Sequence, residues 1–419
     1  MDLISELEQR GLVHDSTDRD ALRARLASGP IGVYVGFDPT ADSLHVGHLL
    51  GQIGLRRFQD AGHRVFPLAG GSTGTVGDPS CRSEERNLLT REELDHNVAS
   101  IKAQLERLLD FGAEGNPATL VDNAEWTAPV TVLEFLRDVG KHVTIGQMLA
   151  KDSVKSRLAG EVGLSYTEFS YMLLQANDFL HDAHGVELQM GGSDQWGNIT
   201  AGIDMVRRTS GGSAHGLTWP LLTKADGSKF GKTASGAVWL DAERTSPYRF
   251  RQFWLQTDDA DVRDRLLRFS LRPLGEIAEV MEAHEQAPHE RQAQRTLADE
   301  LTALVHGEGA ADAARAAAAV LFGQDPREAS GEALDVVGSE IDSSEVSVGD
   351  LDDVPSLLVR IGLASSLGDA RRTLEGRGFR CNGTVIEAGE ALSTVDRLPG
   401  ERLLLQKGRK SHHLVRVFS

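Results

Sequence analysis

The chain is nearly free of cysteine: Cys81 and Cys381 are the only two in 419 residues, and they stand far apart with no metal-ligand spacing around them. Such sparse thiols suit a reducing compartment, and the cytoplasm is the expected location. Long apolar runs are missing as well. No window approaches the roughly 18 to 20 uninterrupted apolar residues that span a bilayer, so no membrane partner is expected. The opening MDLISELEQRGLVHD carries acids and spaces its apolar positions three to four apart. It lacks the basic start and apolar core of an export signal. There is also no internal repeat of fixed period, which sets repeat architectures aside.

Positive charge is scarce overall: the net charge is -18, which taken alone argues against a nucleic-acid partner. Its distribution argues the other way. From Val354 to Ser419 there are eleven Lys and Arg against six Asp and Glu, a tail of +5 on a remainder of -23. Immediately before it, residues 325–353 hold ten acids and one base, Arg327, among several Ser and Gly. This stretch reads as a solvated connector, with a domain boundary inside it. The composition is otherwise that of a globular protein, 40% apolar and 25% charged, long enough for two or three domains with sizeable cores.

Periodicity gives the fold class. IGVYVGF at 31–37 is a short strand, the stretch after His45 (VGHLLGQIGLRRFQDAG) has helical apolar spacing ending at Gly62, and HRVFPLAGGSTG is a second strand running into a glycine-rich turn. Strand, helix, strand is the unit of a parallel α/β sheet, whose ligands gather at the carboxyl ends of the strands. Helical stretches are expected around 92–112 and 130–140, and an almost wholly helical region from about 247 to 322. The tail opens with helix-like stretches and turns to short strands, FRCNGTVI and RLLLQKG.

Chemistry enters at DPTADSLHVGH, residues 38–48. A strand end passes through Thr40 to two histidines three apart, His45 and His48, where the next helix begins. Imidazoles beside the free N–H groups and positive dipole end of a helix suit a polyphosphate better than a metal. Gly47 would let a nucleotide lie close to the backbone. A lone His-x-Gly-His is also what a chance helix cap looks like. The second signal is KFGKT at 229–233, two lysines on a short loop of small residues after a turn.

Together, in this order and about 180 residues apart, the two segments resemble the paired signatures of class I aminoacyl-tRNA synthetases, usually His-Ile-Gly-His and Lys-Met-Ser-Lys-Ser. The chain departs with Val46, Phe230, Gly231 and Thr233, and keeps the histidines and lysines. GFDPTADSLHVGH, GGSTGTVGDPS, YMLLQANDF and GGSDQWGN sharpen the resemblance to the tyrosyl-tRNA synthetases, over essentially the whole chain. The family implies a Rossmann-type parallel-sheet catalytic domain at 1–223. A helical anticodon-side domain with the KFGKT loop follows at 224–324, then the connector at 325–353. A small α+β S4-like RNA-binding domain is implied at 354–419.

By matching motif, Tyr34 and Asp178 would hydrogen-bond a phenolic hydroxyl. Asp78, Tyr171 and Gln175 would surround an ammonium, Gln195 would meet a carboxyl group, and Asp194 with Gly192 a ribose. Gly36, Asp38, Thr40, His45, Gly47 and His48 would line the ATP site, with Lys229, Lys232, Arg82 and Arg86 closing on the β and γ phosphates. Arg82 stands where lysine is expected in many relatives. Arg371, Arg372, Arg377, Arg380, Lys407, Arg409 and Lys410 are the candidate tRNA phosphate contacts. The implied substrates are L-tyrosine, ATP with Mg²⁺, and tRNA(Tyr). No protein-bound metal or organic cofactor is expected, and the family's homodimer is permitted. Three rivals stay open: a tryptophan-specific synthetase, an RNA-binding protein on an inactive synthetase scaffold, and a non-synthetase adenylyltransferase. Exchange driven by tryptophan, damaged signature motifs and absence of tRNA binding would respectively favour them.

Overall fold

The computed structural model describes residues 2–78, 89–159, 163–180, 185–223, 230–233 and 236–418. The chain divides into two compact units. One comprises residues 1–245 and 253–301, the other residues 246–252 and 302–419.

The first unit is built on five parallel strands: β1 (Gly32–Phe37), β2 (Arg64–Ala69), β3 (Val121–Asp122), β4 (Val186–Gly192) and β5 (His215–Trp219), in the order β3-β2-β1-β4-β5. The order reverses at β1, so its carboxyl end opens onto the crevice beside β4, the place where such sheets hold ligands. Val33, Tyr34, Val35 and Phe37 are all buried, as a strand covered on both faces requires. Helix Val46–Asp60 crosses from β1 to β2 and buries Leu49, Leu50, Ile53 and Phe58. Helix Tyr166–Leu180 brings the motif YMLLQANDF alongside, seating Met172, Leu173 and Ala176 in a core cluster with Val139, Met148 and Met205. A two-stranded hairpin of β6 (Lys232–Thr233) and β7 (Gly236–Ala237) follows β5. The region from 247 to 322 is helical, as its spacing indicates.

The second unit contains a mixed sheet of β8 (Asp342–Ser347), β9 (Phe379–Cys381), β10 (Thr384–Val385), β11 (Arg402–Lys407) and β12 (Ser411–Phe418), ordered β10-β9-β11-β12-β8. Here the expected connector differs from the structure. Residues 331–340 form a helix that buries Ala333, Leu334 and Val337, and β8 lies parallel to β12 as a full edge strand. The ten acids hid this in the sequence, because most of them fill exposed positions around apolar residues at helical and alternating spacing. What composition presents as a linker is part of a folded layer whose core includes Val346, Leu351, Phe379 and Val415.

Candidate functional site

A cavity of about 330 Å³ opens at the carboxyl ends of β1 and β4. Tyr34, Gly36 and Asp38 line it from β1 and the turn after it, and Tyr171, Gln175 and Asp178 from one face of helix Tyr166–Leu180. Gly192, Asp194 and Gln195 follow β4, and Asp78, Thr40, His45, Gly47 and His48 complete the wall. Four motifs remote in sequence therefore meet in one space. Lys229, Arg82 and Arg86 lie outside the described residues, as does the side chain of Lys232, whose backbone is in β6.

One end of the cavity is deeply buried, with Tyr34 4% and Asp178 8% exposed. The Tyr34 hydroxyl is buried with no hydrogen-bond partner among the described residues, and its ring packs edge-on to Phe179 at 5.4 Å. Burial, with the nearby Asp178 carboxylate adding to it, holds the phenol well above its usual pKa, so Tyr34 stays a proton donor. Asp178 accepts from the Asn123 amide at 3.1 Å and the Trp126 indole N–H at 2.9 Å. Burial nonetheless pushes its pKa up to about 7, against the pull of those two donors. Asn123 and Trp126 escaped sequence reasoning. They follow β3, which is two residues long and leaves no readable strand pattern, although the carboxyl-end rule points to that position once the strand is known.

In the middle of the cavity the carboxylates are braced. Asp38 accepts from Thr73 Oγ1 at 2.7 Å and from the Tyr171 hydroxyl at 2.9 Å. Burial and then the charges of Asp38 and Asp78 raise the Tyr171 pKa. Gln195 Nε2 donates to Asp78 at 2.7 Å and to Asp194 at 2.9 Å, and burial raises Asp194. Both amide hydrogens of Gln195 are thus committed, so meeting a substrate carboxylate requires one of them to change partner. A Cβ on Gly192 would come within 2.5 Å of Asp194 Oδ1, which explains the glycine beside that acid. Asn198, also missed in the sequence, donates to Gln195 Oε1 at 3.1 Å and accepts from Lys151 Nζ. Burial lowers Lys151 to about 8, with Asp78 opposing the shift.

The other end is more open. His45 is the N-cap of helix Val46–Asp60; its Nδ1 accepts from the Gly47 N–H at 3.0 Å, while His48 Nδ1 accepts from the His45 N–H at 3.2 Å. A neutral imidazole that accepts at Nδ1 carries its proton on Nε2, so both rings are Nε2–H donors. The two rings stack with centroids 3.9 Å apart. A Cβ on Gly47 would sit 2.8 Å from His45 Cε1, so the glycine makes room for the histidine as well as leaving the backbone bare. Thr40 is exposed beside them. Donors of this kind, at the positive end of a helix, can hold a polyphosphate.

The two signature segments touch. Gly231, with φ of 80°, packs so close to Val46 that a Cβ would lie 2.9 Å from Cγ2. Phe230, the departure from the usual methionine, sits among Phe253, Trp254 and Phe269 with ring centroids 5.4 to 5.8 Å away.

In the second unit the candidate cationic residues differ in freedom. Arg371 and Arg372 are exposed on helix Leu367–Glu375, and Arg409 and Lys410 are exposed in the β11–β12 turn. Arg377 pairs with Glu387 at 2.8 Å, Lys407 pairs with Asp369 at 3.1 Å, and Arg380 donates to the Gly383 carbonyl at 3.0 Å.

Comparison with known proteins sets this geometry among relatives. The family model described as tRNA synthetases class I (W and Y) matches residues 26–323. The tyrosine–tRNA ligase of Anaeromyxobacter dehalogenans is 52% identical over 99% of both chains, and that of Geobacillus stearothermophilus 47% identical over 99% of this chain and 100% of its own. A C-terminally truncated mitochondrial tyrosyl-tRNA synthetase of Aspergillus nidulans superposes with a TM-score of 0.70 at 36% identity, covering 76% of this chain and 94% of its own. The tryptophanyl-tRNA synthetase of Giardia lamblia, 15% identical with a TM-score of 0.55 over 73% of this chain and 86% of its own, shares the fold. The chain belongs to the class I tRNA synthetases of the tryptophan and tyrosine group, and within it to the tyrosine–tRNA ligases.

Proposed function

We infer that this cavity serves tyrosine–tRNA ligation: L-tyrosine is activated by ATP to tyrosyl-adenylate and pyrophosphate, and the tyrosyl group then passes to the terminal ribose of tRNA(Tyr). The observation that carries the reading is the pair Tyr34 and Asp178 at the buried end. A phenolic hydroxyl both donates and accepts, and the pair offers it one hydroxyl donor without a partner among the described residues and one carboxylate acceptor. Phenylalanine would leave both unpaired in a buried place, which is a strong basis for rejecting it. Tryptophan would present its lone N–H donor and a larger ring.

The substrate ammonium falls to Asp78, Gln175 and the Tyr171 oxygen, whose proton is already given to Asp38. Asp194 and Gly192 take the ribose and Gln195 the carboxyl group. In the first step a tyrosine carboxylate oxygen attacks the α-phosphorus of MgATP, and the bond to pyrophosphate breaks. In the second, a ribose hydroxyl attacks the activated carbonyl, AMP leaves, and the hydroxyl proton is lost. The nucleophile and leaving group are both adequate already, so the protein acts by positioning and by stabilising phosphate charge. Thr40, His45 and His48 do this from the helix end; by family resemblance Lys229, Lys232, Arg82 and Arg86 also act on the β and γ phosphates. The test is ATP-pyrophosphate exchange driven separately by tyrosine, phenylalanine and tryptophan. Exchange with tyrosine alone is expected, and none with any of the three, from folded protein, would sink the reading.

The +5 tail is the proposed tRNA contact, with Arg371, Arg372, Arg409 and Lys410 its least encumbered cations. A homodimer is proposed on a separate observation. Val132, Leu133, Leu136, Ile145, Leu149 and Leu158 are exposed on successive short helices of the first unit, Leu133 at 80%. So much bare apolar surface suits a second copy of the chain. Leu133→Glu should yield monomers by sedimentation equilibrium; an unchanged dimer, or a monomeric parent, refutes it. A cytoplasmic location fits the chemistry of the substrates, and no described helix is long and apolar enough to cross a membrane.

A further inference from the structure

Beyond the cavity wall, the segment that follows β7 reaches back to the first signature. The Val46 N–H donates to the Val238 carbonyl at 2.9 Å and the Leu240 N–H to the Leu44 carbonyl at 2.8 Å, while His45 and Trp239 form an isolated antiparallel bridge between them. The two motifs are thus zipped together by backbone at the residue that caps the helix.

The side chains continue the connection. The Trp239 ring meets the His45 ring at a centroid distance of 6.0 Å and an angle of 61°, while His48 stacks against His45. The Arg244 guanidinium lies 4.6 Å over the indole and is itself ion-paired with Asp42. The Trp239 backbone N–H donates to Thr245 Oγ1 at 3.0 Å. Of the chain Asp42, Arg244, Trp239, His45 and His48, only the two histidines line the cavity.

We propose that Trp239 is a positioning residue for amino-acid activation, fixing the His45 imidazole so that its Nε2–H stays aimed at the ATP phosphates. This rests on the reading of His45 as a phosphate-directed donor. A histidine ring turns about two bonds, and here the Gly47 N–H anchors its Nδ1. The Trp239 and His48 rings both pack against it, and Gly47 puts no side chain beneath it. The indole in turn has the Arg244 cation over its face, while its backbone is tied to Thr245. Trp239 does not line the cavity, so its effect must pass through His45.

The test uses the full-length protein and four substitutions, W239L, W239F, H45N and R244M, with W239L and R244M also made in the H45N background. The rate of adenylate formation and the equilibrium affinity for tyrosine are measured for each. W239L should slow adenylate formation by about 10²-fold, the usual loss from a small misplacement of a reacting or stabilising group, with tyrosine affinity unchanged. W239F should recover most of the rate, because it restores a ring against His45. In the H45N background W239L should add less than about 2-fold, the sign of residues acting as one unit. R244M, on a more exposed residue, should give a smaller loss of about 5-fold, again erased by H45N, and it answers the question if W239L fails to fold. Equal losses with and without His45, or a loss of tyrosine affinity in place of rate, would overturn the proposal. A normal rate in H45N itself would instead remove the phosphate reading on which it stands.

Discussion

The two ends of the cavity are built on opposite principles. At the aromatic end Tyr34 and Asp178 are buried, their partners Asn123 and Trp126 are fixed, and burial has moved both pKa values upward. At the phosphate end His45 and His48 are half-buried, Thr40 is exposed, and the donors are held by a helix cap rather than by a closed shell. A neutral phenol is recognised by a group that is costly to leave unpaired, and only a dry site makes it costly. A polyphosphate already carries charge enough to be attracted through water, so its end needs direction more than desolvation. On the proposed reading, selectivity and rate are therefore served by different physical environments within one cavity.

The largest effect should come from breaking the buried end. Asp178→Asn puts an amide opposite two fixed donors, Asn123 and Trp126, so at least one N–H group loses its acceptor. Tyrosine kcat/KM should fall by about 10³-fold, with most of the preference over phenylalanine lost; a change below tenfold would mean that Asp178 does not meet the phenol. The raised pKa sharpens the prediction. On the proposed reading tyrosine binding needs the carboxylate as acceptor, so affinity should strengthen as pH rises through about 7 and level off above it. Asn123→Ala removes a hydrogen bond that favours the ionised form, and should move that midpoint upward. The linkage to stability runs the same way. Between the unfolded carboxyl pKa of 3.8 and about 7 the folded state holds the extra proton, so the contribution of Asp178 to stability declines as pH rises across that window. The difference in unfolding free energy between wild type and Asp178→Asn should trace this decline and be flat above it.

The phosphate end should respond more gently and in a different parameter. His48→Asn removes one Nε2–H donor without exposing a buried charge, so adenylate formation should slow by about 10²-fold while tyrosine affinity holds. Stopped-flow measurement of the two quantities separates the ends. A loss of tyrosine affinity in His48→Asn would show that the ends are not independent, and would break the contrast between them.

How much of this was readable in the sequence follows the same division. The β1–helix–β2 unit was legible because Val33, Val35 and Phe37 crowd one short run and because Gly62 closes the helix that His45 opens. The motif residues on Tyr171, Gln175 and Asp178 were legible because helical spacing puts them on one face. Asn123, Trp126, Thr73 and Asn198 were not, since they act on other side chains and their positions depend on strand pairing across the sheet. The helix at 331–340 and β8 were hidden for another reason: ten acids dominate the composition, while burial depends on a few apolar residues such as Leu334 and Val346. A truncation at 354 would accordingly cut away β12 and leave β8 without its neighbour, so deletion is a poor way to test the tail.

Single charges offer the finer test, and they extend the contrast from half-buried donors to exposed ones. Arg371 and Arg372 stand in water on helix Leu367–Glu375, so a phosphate contact there gains mainly by releasing counterions from RNA. Each should therefore matter through salt dependence rather than through geometry. Replacing either by alanine should reduce the slope of log K against log salt for tRNA binding by about one unit. The rate of tyrosyl-adenylate formation, which involves no RNA, should not change. Arg377 and Lys407 already pair with Glu387 and Asp369, so each must give up that partner to bind phosphate, and their alanine variants should lower the slope less. If all four substitutions leave the slope as it was, the basic tail is not the surface that meets the tRNA, and the cations that do must lie elsewhere on the chain.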